Sequence, residues 1–329
     1  MHPVSQKIDR ALTERGAMTC NADTQCRRSP RNTGIFLLLL LAVCYCAPAA
    51  AADLLVGSGE PGSFSYFAGR TLCRAIEGRL PDMDCETVPA PDDLHNLTNL
   101  RIGSLDLILV DAHTLQEAIA HRGAFQFLDF RFDSLRTIVR LYETAAALVV
   151  RSDAGISSLA ALPGKRINLG TPRSPQHRIF SALMNAKGWS ADDFSLVEEL
   201  TGSQSVDALA FCHGTIQAML HIGVHPDAEL MQLTRLCGAR LVDGVDTDVG
   251  DLIRKDAVYS QVAIAAGTYP TQPQRVSAIG TRVMVIASAD LGERTAYRII
   301  QAMADGRGRI QSAHPALAPF DETSAAGDP

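Results

Sequence analysis

The sequence predicts an α/β protein built as two lobes, and three observations lead to this prediction. Short apolar runs alternate with amphipathic stretches at helical spacing along most of the chain. An apolar strand, a turn of small residues and a helix occur together twice, once within 53–78 and again within 156–189. Between them, residues 135–153 form one long extended segment. Turns of this kind lie where open α/β sheets bind ligands, so we expect the two to face each other across a cleft.

The first lobe is predicted from a regular alternation of strands and helices. The elements are a strand and a helix within 53–78, a strand at 85–90, a helix at 92–103 and a strand at 105–110. In the second of these helices Leu94, Leu97 and Leu100 have the spacing of a buried helical face. The long segment 135–153 then leaves this lobe and enters the next.

The second lobe repeats the alternation and the chain then returns. The elements are a short helix and strand within 156–170, helices within 170–189, 204–214 and 228–238, and strands at 215–220 and 239–243. A last strand at 276–288 and a helix at 292–305 have no neighbours of their own, so we expect them to pack on the first lobe. The predicted organisation is an N-terminal extension at 1–52, first lobe at 53–145, second lobe at 146–257, and first lobe plus tail at 258–329.

Residues 1–52 are expected to end in a cleaved secretory signal. Basic residues precede the apolar run IFLLLLLAVCYC at 35–46, and small residues follow it, which predicts cleavage after Ala52 and export. The run is short for a bilayer span of about 20 residues, so a retained anchor is the weaker alternative. A lipoprotein cut before Cys44 is weaker still, because the preceding valine is bulky.

The charge balance limits the classes of partner. The formal net charge is −6, and the basic leader makes the remainder of the chain more acidic than that. An acidic surface argues against nucleic acid and anionic lipid as partners. It leaves open a small anionic ligand, because the backbone amides of a pocket act locally.

Cysteine usage agrees with export. Outside the leader the chain has Cys73, Cys85, Cys212 and Cys237. An even number in an oxidising compartment predicts two disulfides with three possible connectivities, of which sequence proximity favours Cys73 with Cys85 and Cys212 with Cys237. Four free buried thiols are the alternative.

The first turn raises the question of a cofactor. Gly57, Gly59 and Gly62 spell GxGxxG between a strand and a helix, which can seat a dinucleotide pyrophosphate or any small anion on backbone amides. A dinucleotide site expects an acidic residue about 20 positions further on, and Glu86 lies too early on the next strand. Nicotinamide cofactors are also rare outside the cytoplasm, so no cofactor is expected.

Metal binding and catalysis are not predicted either. His221 and His225 have the four-residue spacing of helical zinc ligands, but Gly223 and Pro226 make a helix unfavourable there. No GxSxG turn and no arrangement of Ser, His and Asp indicates a nucleophile. We therefore expect a binding protein and not an enzyme.

Several longer segments resemble one family of binding proteins. The likeness covers about 54–319 and includes VGSGEPGSFSYFAGRTLCRAIE, CETVPAPDDLHNLTNLRIGSLDLILVD, GTIQAMLHIGVHPDAELMQLTRLCGARLVD and AIAAGTYPTQPQRVSAIGTRVMVIAS. The most specific segment is VVRSDAGISSLAALPGKRINLGTPRSPQHRIFSALMNAKGWSADDF. On these residues the chain resembles the TAXI solute-binding proteins of tripartite ATP-independent periplasmic (TRAP) transporters.

This resemblance implies a fold, a function and a site. The fold would be the two-lobed periplasmic-binding-protein type II fold, with two crossover strands at a hinge and a ligand cleft between the lobes. The protein would capture a small organic solute, an amino acid or a carboxylate, in the periplasm and deliver it to TRAP permease subunits. It also implies the disulfide pairs Cys73 with Cys85 and Cys212 with Cys237. The residues carried over to the ligand site are Ser58, Gly59, Ser63, Phe64, Asp93, Asp111, Thr171, Ser174, Gln176 and Tyr269.

The sequence departs from the family pattern at the second turn and at two carboxylates. Arg173 and Pro175 flank Ser174 where the family usually has glycines, which stiffens the turn and adds Arg173 as a ligand-binding cation. Asp93 and Asp111 bring negative charge where neutral donors are usual. These departures favour a ligand that is zwitterionic, cationic or different in kind; the alternative is that these side chains point away from the cleft. The alternative function is a ligand-sensing module for a membrane signalling partner.

Overall fold

The computed structural model describes residues 54–200 and 206–321, which belong to one compact unit within 51–329. The leader and its cleavage position lie outside the described residues. The strands are β1 Leu54–Ser58, β2 Cys85–Pro89, β3 Leu107–Asp111, β4 Leu135–Arg151, β5 Arg166–Asn168, β6 Leu196–Glu198, β7 Ala218–Gly223, β8 Ala239–Val242, β9 Tyr259–Ile264 and β10 Val276–Ser288.

The helices alternate with these strands, as the apolar spacing predicts. They are α1 Phe64–Glu77, α2 Asp93–Arg101, α3 Ala112–Ile119, α4 Pro175–Lys187, α5 Val206–Cys212, α6 Ala228–Leu236, α7 Thr247–Lys255, α8 Glu293–Asp305 and α9 Arg307–Ala313. Three of them, α3, α7 and α9, are absent from the elements inferred from sequence. The strand expected at 215–220 lies three residues later, as β7.

Two long strands connect the lobes. In the described residues the sheet order is β2-β1-β3-β10-β4-β7-β5-β6, with β8 added to β4 and β9 added to β10. The second half of β10 pairs with β3 of the first lobe, whereas its first half pairs with β9. Similarly, β4 pairs with β10 along its first part and with β7 of the second lobe at its end. The extended segment at 135–153 is thus confirmed as a single 17-residue crossover strand.

The apolar side chains form separate cores on the two halves of this sheet. In β4, Val139 and Leu141 join a first-lobe cluster with α1 and α8, whereas Leu148 and Val150 join a second-lobe cluster with α4. Burial of this apolar surface stabilises each cluster by roughly 25 cal/mol for every Å² removed from water. The two-lobed type II fold with two crossover strands is therefore present.

The chain re-enters the first lobe along β10. Tyr259, Ile264 and Ile279 pack in the second-lobe clusters, whereas Val283 and Val285 pack in the first-lobe cluster. The lobe limits drawn from the sequence, at 145 and 257, stay a prediction.

Two disulfides brace the lobes. Cys73 is bonded to Cys85, joining α1 to β2, and Cys212 is bonded to Cys237, joining the ends of α5 and α6. These are the pairs that sequence proximity favours and the resemblance implies. Among the described residues, none of the helices combines the length and the apolar character needed to cross a bilayer.

Candidate functional site

A cleft of about 860 Å³ lies between the two lobes. The first lobe contributes residues 91–94 at the start of α2, Asp111 at the end of β3, and parts of 114–125. The second lobe contributes residues 172–175 and the first turn of α4. The first-lobe wall is formed by the turns that start α2 and α3, and the second-lobe wall by the turn that starts α4. The sequence predicts the second-lobe turn in this position, but it pairs that turn with residues 58–64, which do not line this cleft.

Two aspartates of the first lobe lie side by side in this cleft. Asp111 caps α3, and its Oδ1 accepts a hydrogen bond from the backbone N–H of His113 at 2.9 Å. Asp93, the first residue of α2, accepts a hydrogen bond from the backbone N–H of Asp111 at 3.1 Å. Each carboxylate is thus held by a helix start, where unpaired N–H groups favour negative charge.

The position of Asp93 disfavours its charged form. Removal from water raises the pKa of Asp93 to about 7, and the negative charge of Asp111 acts in the same direction. The N–H of Asp111 and the guanidinium of Arg178 act in the opposite direction. A positively charged group in the cleft would pair with the Asp93 carboxylate and favour its ionised form.

The second-lobe wall is a turn that ends in a helix cap. Gly170 and Arg173 both have left-handed backbone conformations, with φ of 81° and 71°, so the turn is tight at two positions. Ser174 then caps α4 by accepting a hydrogen bond from the N–H of His177 at 3.1 Å, and Pro175 takes the first helical position. This N-terminus adds partial positive charge to the cleft.

Arg178 supplies a full positive charge there. Its Nη1 donates a hydrogen bond to the carbonyl of Arg173 at 2.8 Å, which keeps the guanidinium beside the turn. Arg178 lines the cleft, and it lines a narrow gap beside the hinge strands together with Asp111. The carboxylates of the first lobe therefore face an arginine of the second.

The sequence predicts Arg173 as the ligand-binding cation of the second lobe and gives no prediction for Arg178. Arg173 lines the cleft, but its side chain is exposed. The signal for Arg178 is its position four residues after the cap Ser174, which places both on one side of the first helical turn.

The first predicted rim serves mainly to build α1. Ser58 is fully buried, and its hydroxyl donates to the carbonyl of Val88 at 3.3 Å. Ser63 caps α1 by accepting from the N–H of Tyr66 at 3.1 Å, and the N–H of Gly59 donates to Ser65 Oγ at 3.2 Å. None of these residues lines the 860 Å³ cleft.

Phe64 packs against Tyr142 of the crossover strand β4. The rings of Phe64 and Tyr142 meet edge to face, with centroids 4.8 Å apart. Tyr142 hydrogen-bonds to Ser65, and burial together with the nearby charges of Asp93 and Asp111 raises its pKa. Phe64 therefore belongs to the apolar packing of the first lobe, next to a tyrosine that senses the charges of Asp93 and Asp111.

The three other predicted residues belong to the second lobe. The carbonyl of Thr171 accepts from the N–H of Ser174 at 3.0 Å, so Thr171 shapes the turn. Gln176 is buried under the turn. Tyr269 is 1 % exposed in a second-lobe core, where its hydroxyl contacts His225 and accepts from the N–H of Asp227 at 2.8 Å. Of the eleven predicted ligand residues, the cleft brings together Asp93, Asp111, Arg173 and Ser174.

A second, smaller crevice of about 380 Å³ lies along the hinge strands. It is lined by parts of β4, β7, β9 and the segment 315–319. Glu143 and Arg282 form an ion pair of 3.8 Å in its wall. Two of its charged lining residues are therefore paired with each other.

The fold is shared with solved binding proteins of low sequence identity. A TctC solute-binding protein from Polaromonas matches with a TM-score of 0.56 and 17 % identity, over 84 % of this chain and 91 % of that one. PhnD1 from Prochlorococcus marinus, solved with methylphosphonate, matches with a TM-score of 0.52 and 14 % identity, over 81 % and 91 %. The periplasmic sulfonate-binding protein SsuA from Methylobacillus flagellatus matches with a TM-score of 0.51 and 15 % identity, over 80 % and 70 %.

The sequence itself matches a protein family over nearly the whole described region. The match runs from residue 56 to residue 328, beginning in β1 and extending past α9. It includes both walls of the large cleft and both crossover strands. The chain therefore belongs to the NMT1-like family.

Proposed function

We propose that this protein is an extracytoplasmic receptor that captures a small organic solute and delivers it to a membrane transporter. The observation that carries the proposal is the cleft in which Asp93 and Asp111 of one lobe face Arg178 and the capped start of α4 on the other. Because opposite charges lie on the two lobes, a ligand with both charges can contact both lobes at once. Two of the solved proteins of similar fold are named as binding proteins, which supports the proposed receptor function.

An amino acid in its zwitterionic form fits these charges best. Its carboxylate would bind to Arg178 and the N-terminal end of α4, where a guanidinium and a helix N-terminus both favour an anion. Its ammonium group would bind between Asp93 and Asp111. A simple dicarboxylate would instead place a second negative charge against these two aspartates.

Binding would close the cleft. The lobes are joined by β4 and β10, so a ligand that contacts both walls stabilises the closed arrangement over the open one. The proposed role therefore requires binding without chemical change, and we propose no enzymatic activity. Two disulfides support an oxidising, extracytoplasmic location such as the periplasm.

The transporter class is proposed from the resemblance to TAXI proteins. On that basis the partners are the membrane subunits of a TRAP transporter. A deletion strain tests this proposal by uptake of the radiolabelled solute. Loss of uptake with normal signalling supports transport, whereas normal uptake in the deletion strain rejects it in favour of the sensing alternative.

A ligand screen tests the receptor proposal directly. The purified protein is analysed by native mass spectrometry for a co-purifying compound and by thermal unfolding with single L-amino acids. Each amino acid is compared with the matched 2-oxo acid, which lacks the ammonium group, and the matched amine, which lacks the carboxylate. We expect an amino acid to raise Tm and both analogues to fail. Stabilisation by the 2-oxo acid alone would contradict the zwitterion, and turnover of the bound compound would contradict a receptor.

A further inference from the structure

A second group of polar side chains converges on the second lobe, outside the large cleft. His221 lies on β7, and Asp227 and Glu229 lie at the start of α6. One ligand atom from each of these three side chains lies within 4.8 Å of the others. All three are partly buried. The imidazole and two carboxylates are therefore close enough to hold one small cation after minor side-chain adjustment.

The elements that carry this group are firmly held. His221 lies opposite Ala147 of the crossover strand β4. Asp227 caps α6 by accepting from the N–H of Leu230 at 2.8 Å, and its own N–H donates to the buried hydroxyl of Tyr269 at 2.8 Å. The disulfide between Cys212 and Cys237 ties α5 to the end of α6. Such a site needs little ordering when it binds an ion.

The imidazole nitrogen at the centre of the group lies next to a carboxylate oxygen. Nε2 of His221 is buried, and its neighbour among the described residues is Asp227 Oδ1 at 3.0 Å, with which a protonated imidazole forms an ion pair. Two ligands bound at about 2 Å to one ion lie roughly 3 Å apart. The separation of these two atoms is therefore compatible with shared coordination of a metal ion.

The group also has more acidic than basic side chains. Asp207 of α5 is 8 % exposed and lies close enough to interact electrostatically with His221 and Glu229. Three carboxylates thus lie near two imidazoles, those of His221 and His225, and a protonated His221 would balance only one of them. A divalent cation would neutralise two charges at once.

We propose that His221, Asp227 and Glu229 form a binding site for a divalent transition-metal ion, with zinc the best match. An imidazole nitrogen favours zinc and its neighbours over calcium and magnesium, which take oxygen ligands. Three protein ligands leave a fourth position for water. His221 would bind through the lone pair of Nε2, and any proton on that nitrogen would pass to solvent.

The proposed site is not the pair His221 and His225, whose four-residue spacing is typical of helical zinc ligands. His225 lies nearby, with its ring centroid 6.4 Å from that of His221, but its Nδ1 contacts the hydroxyl of Tyr269 at 2.5 Å and it is not one of the three converging ligands. The partners of His221 are instead carboxylates of the next helix, whose approach depends on the turn at 224–227. Because these residues do not line the large cleft, the proposal is independent of the proposed receptor function.

Metal titration of the tag-free, full-length protein tests the proposal. After treatment with EDTA and dialysis, the protein is titrated with ZnCl2 by calorimetry and with CoCl2 by visible absorption. We expect one ion per chain, with micromolar or tighter affinity for zinc, and a cobalt spectrum of nitrogen and oxygen ligands without thiolate bands. Calcium and magnesium are expected to bind at least about tenfold more weakly.

Glu229→Gln provides the decisive variant, because Glu229 caps no helix and its loss should leave the fold intact. We expect it to weaken zinc binding by at least about tenfold. Glu293→Gln, an exposed residue in the first turn of α8, is the matched control and should bind like the unaltered protein. Zinc binding weaker than about 1 mM, equal affinity in Glu229→Gln, or thiolate bands in the cobalt spectrum would each overturn the proposal.

Discussion

The carboxylate of Asp93 accepts a hydrogen bond from the backbone N–H of Asp111 at 3.1 Å. This bond joins the start of α2 to the end of β3, so two acidic residues from different turns lie together on one wall of the cleft. Loss of solvent raises the pKa of Asp93 to about 7, and the negative charge of Asp111 adds to this effect. The cleft therefore stores an unfavourable charge arrangement that a cationic group of a ligand can relieve.

Replacement of Asp93 by asparagine should remove a pH dependence of stability. The pKa of Asp93 is about 7 in the folded protein and about 3.9 in the unfolded chain, so the folded state binds more protons between these values. Stability from this group is thus full at low pH and declines as pH rises toward 7. We expect Asp93→Asn to be more stable than the unaltered protein at pH 8, by at most about 4 kcal/mol, and equal to it near pH 4. Urea unfolding at both pH values measures this.

Asp92→Asn is the matched control for that experiment. Asp92 is exposed and caps α2, a position that asparagine fills equally well. We expect little change at either pH. Equal stabilisation by the two substitutions at pH 8 would show that general repulsion, and not the position of Asp93, is responsible.

Arg178→Met should weaken solute binding far more than a change at Arg173. Arg178 supplies the charge that faces the carboxylates, so its loss is expected to reduce affinity for an amino acid at least about tenfold. Arg173 is exposed and has a φ of 71°, which glycine adopts without strain. Arg173→Gly should therefore bind within about threefold of normal and gain roughly 1 kcal/mol of stability. Calorimetric titration compares them, and the reverse order of affinities would refute this assignment of the cleft cation.

Tyr269→Phe should affect stability and not affinity. The hydroxyl of Tyr269 accepts from the N–H of Asp227 within a buried cluster, and its removal leaves that donor unpaired. We expect a loss of about 1–3 kcal/mol in the free energy of unfolding. A selective fall in solute affinity at unchanged stability would instead place Tyr269 in the ligand site, as the resemblance implies.

Loss of the disulfide between Cys73 and Cys85 should destabilise the first lobe. The bond closes a loop across 12 residues between α1 and β2, and it constrains the unfolded chain. We expect the double substitution Cys73→Ala and Cys85→Ala to cost about 3 kcal/mol. Guanidinium unfolding of the oxidised protein measures the loss, with dithiothreitol-treated protein as the comparison. An unchanged midpoint would contradict this expectation.

The helices that sequence reasoning missed show where local patterns fail. α3 follows β3 without a connecting turn, because Asp111 both ends the strand and caps the helix. The segment VDAHT has the small and polar residues of a loop, although α3 begins within it. α7 is mostly polar; Val249 is its fully buried residue, and Leu252 and Ile253 pack against the same core at partial exposure. Helices of this kind form because neighbouring elements cover one face, and that cover is not visible in the local sequence.

The sequence by itself determined the α/β class, the turn that starts α4, the crossover segment and the disulfide pairs. Each of these depends on local apolar spacing, turn residues or separation along the chain. Only the tertiary structure decided which charges share the cleft, placing Arg178 there and Tyr269 in a core. It also decided that His221 meets Asp227 and Glu229. Contacts of this kind depend on how separate strands and helices pack in three dimensions. The spacing of residues along the chain does not specify that packing.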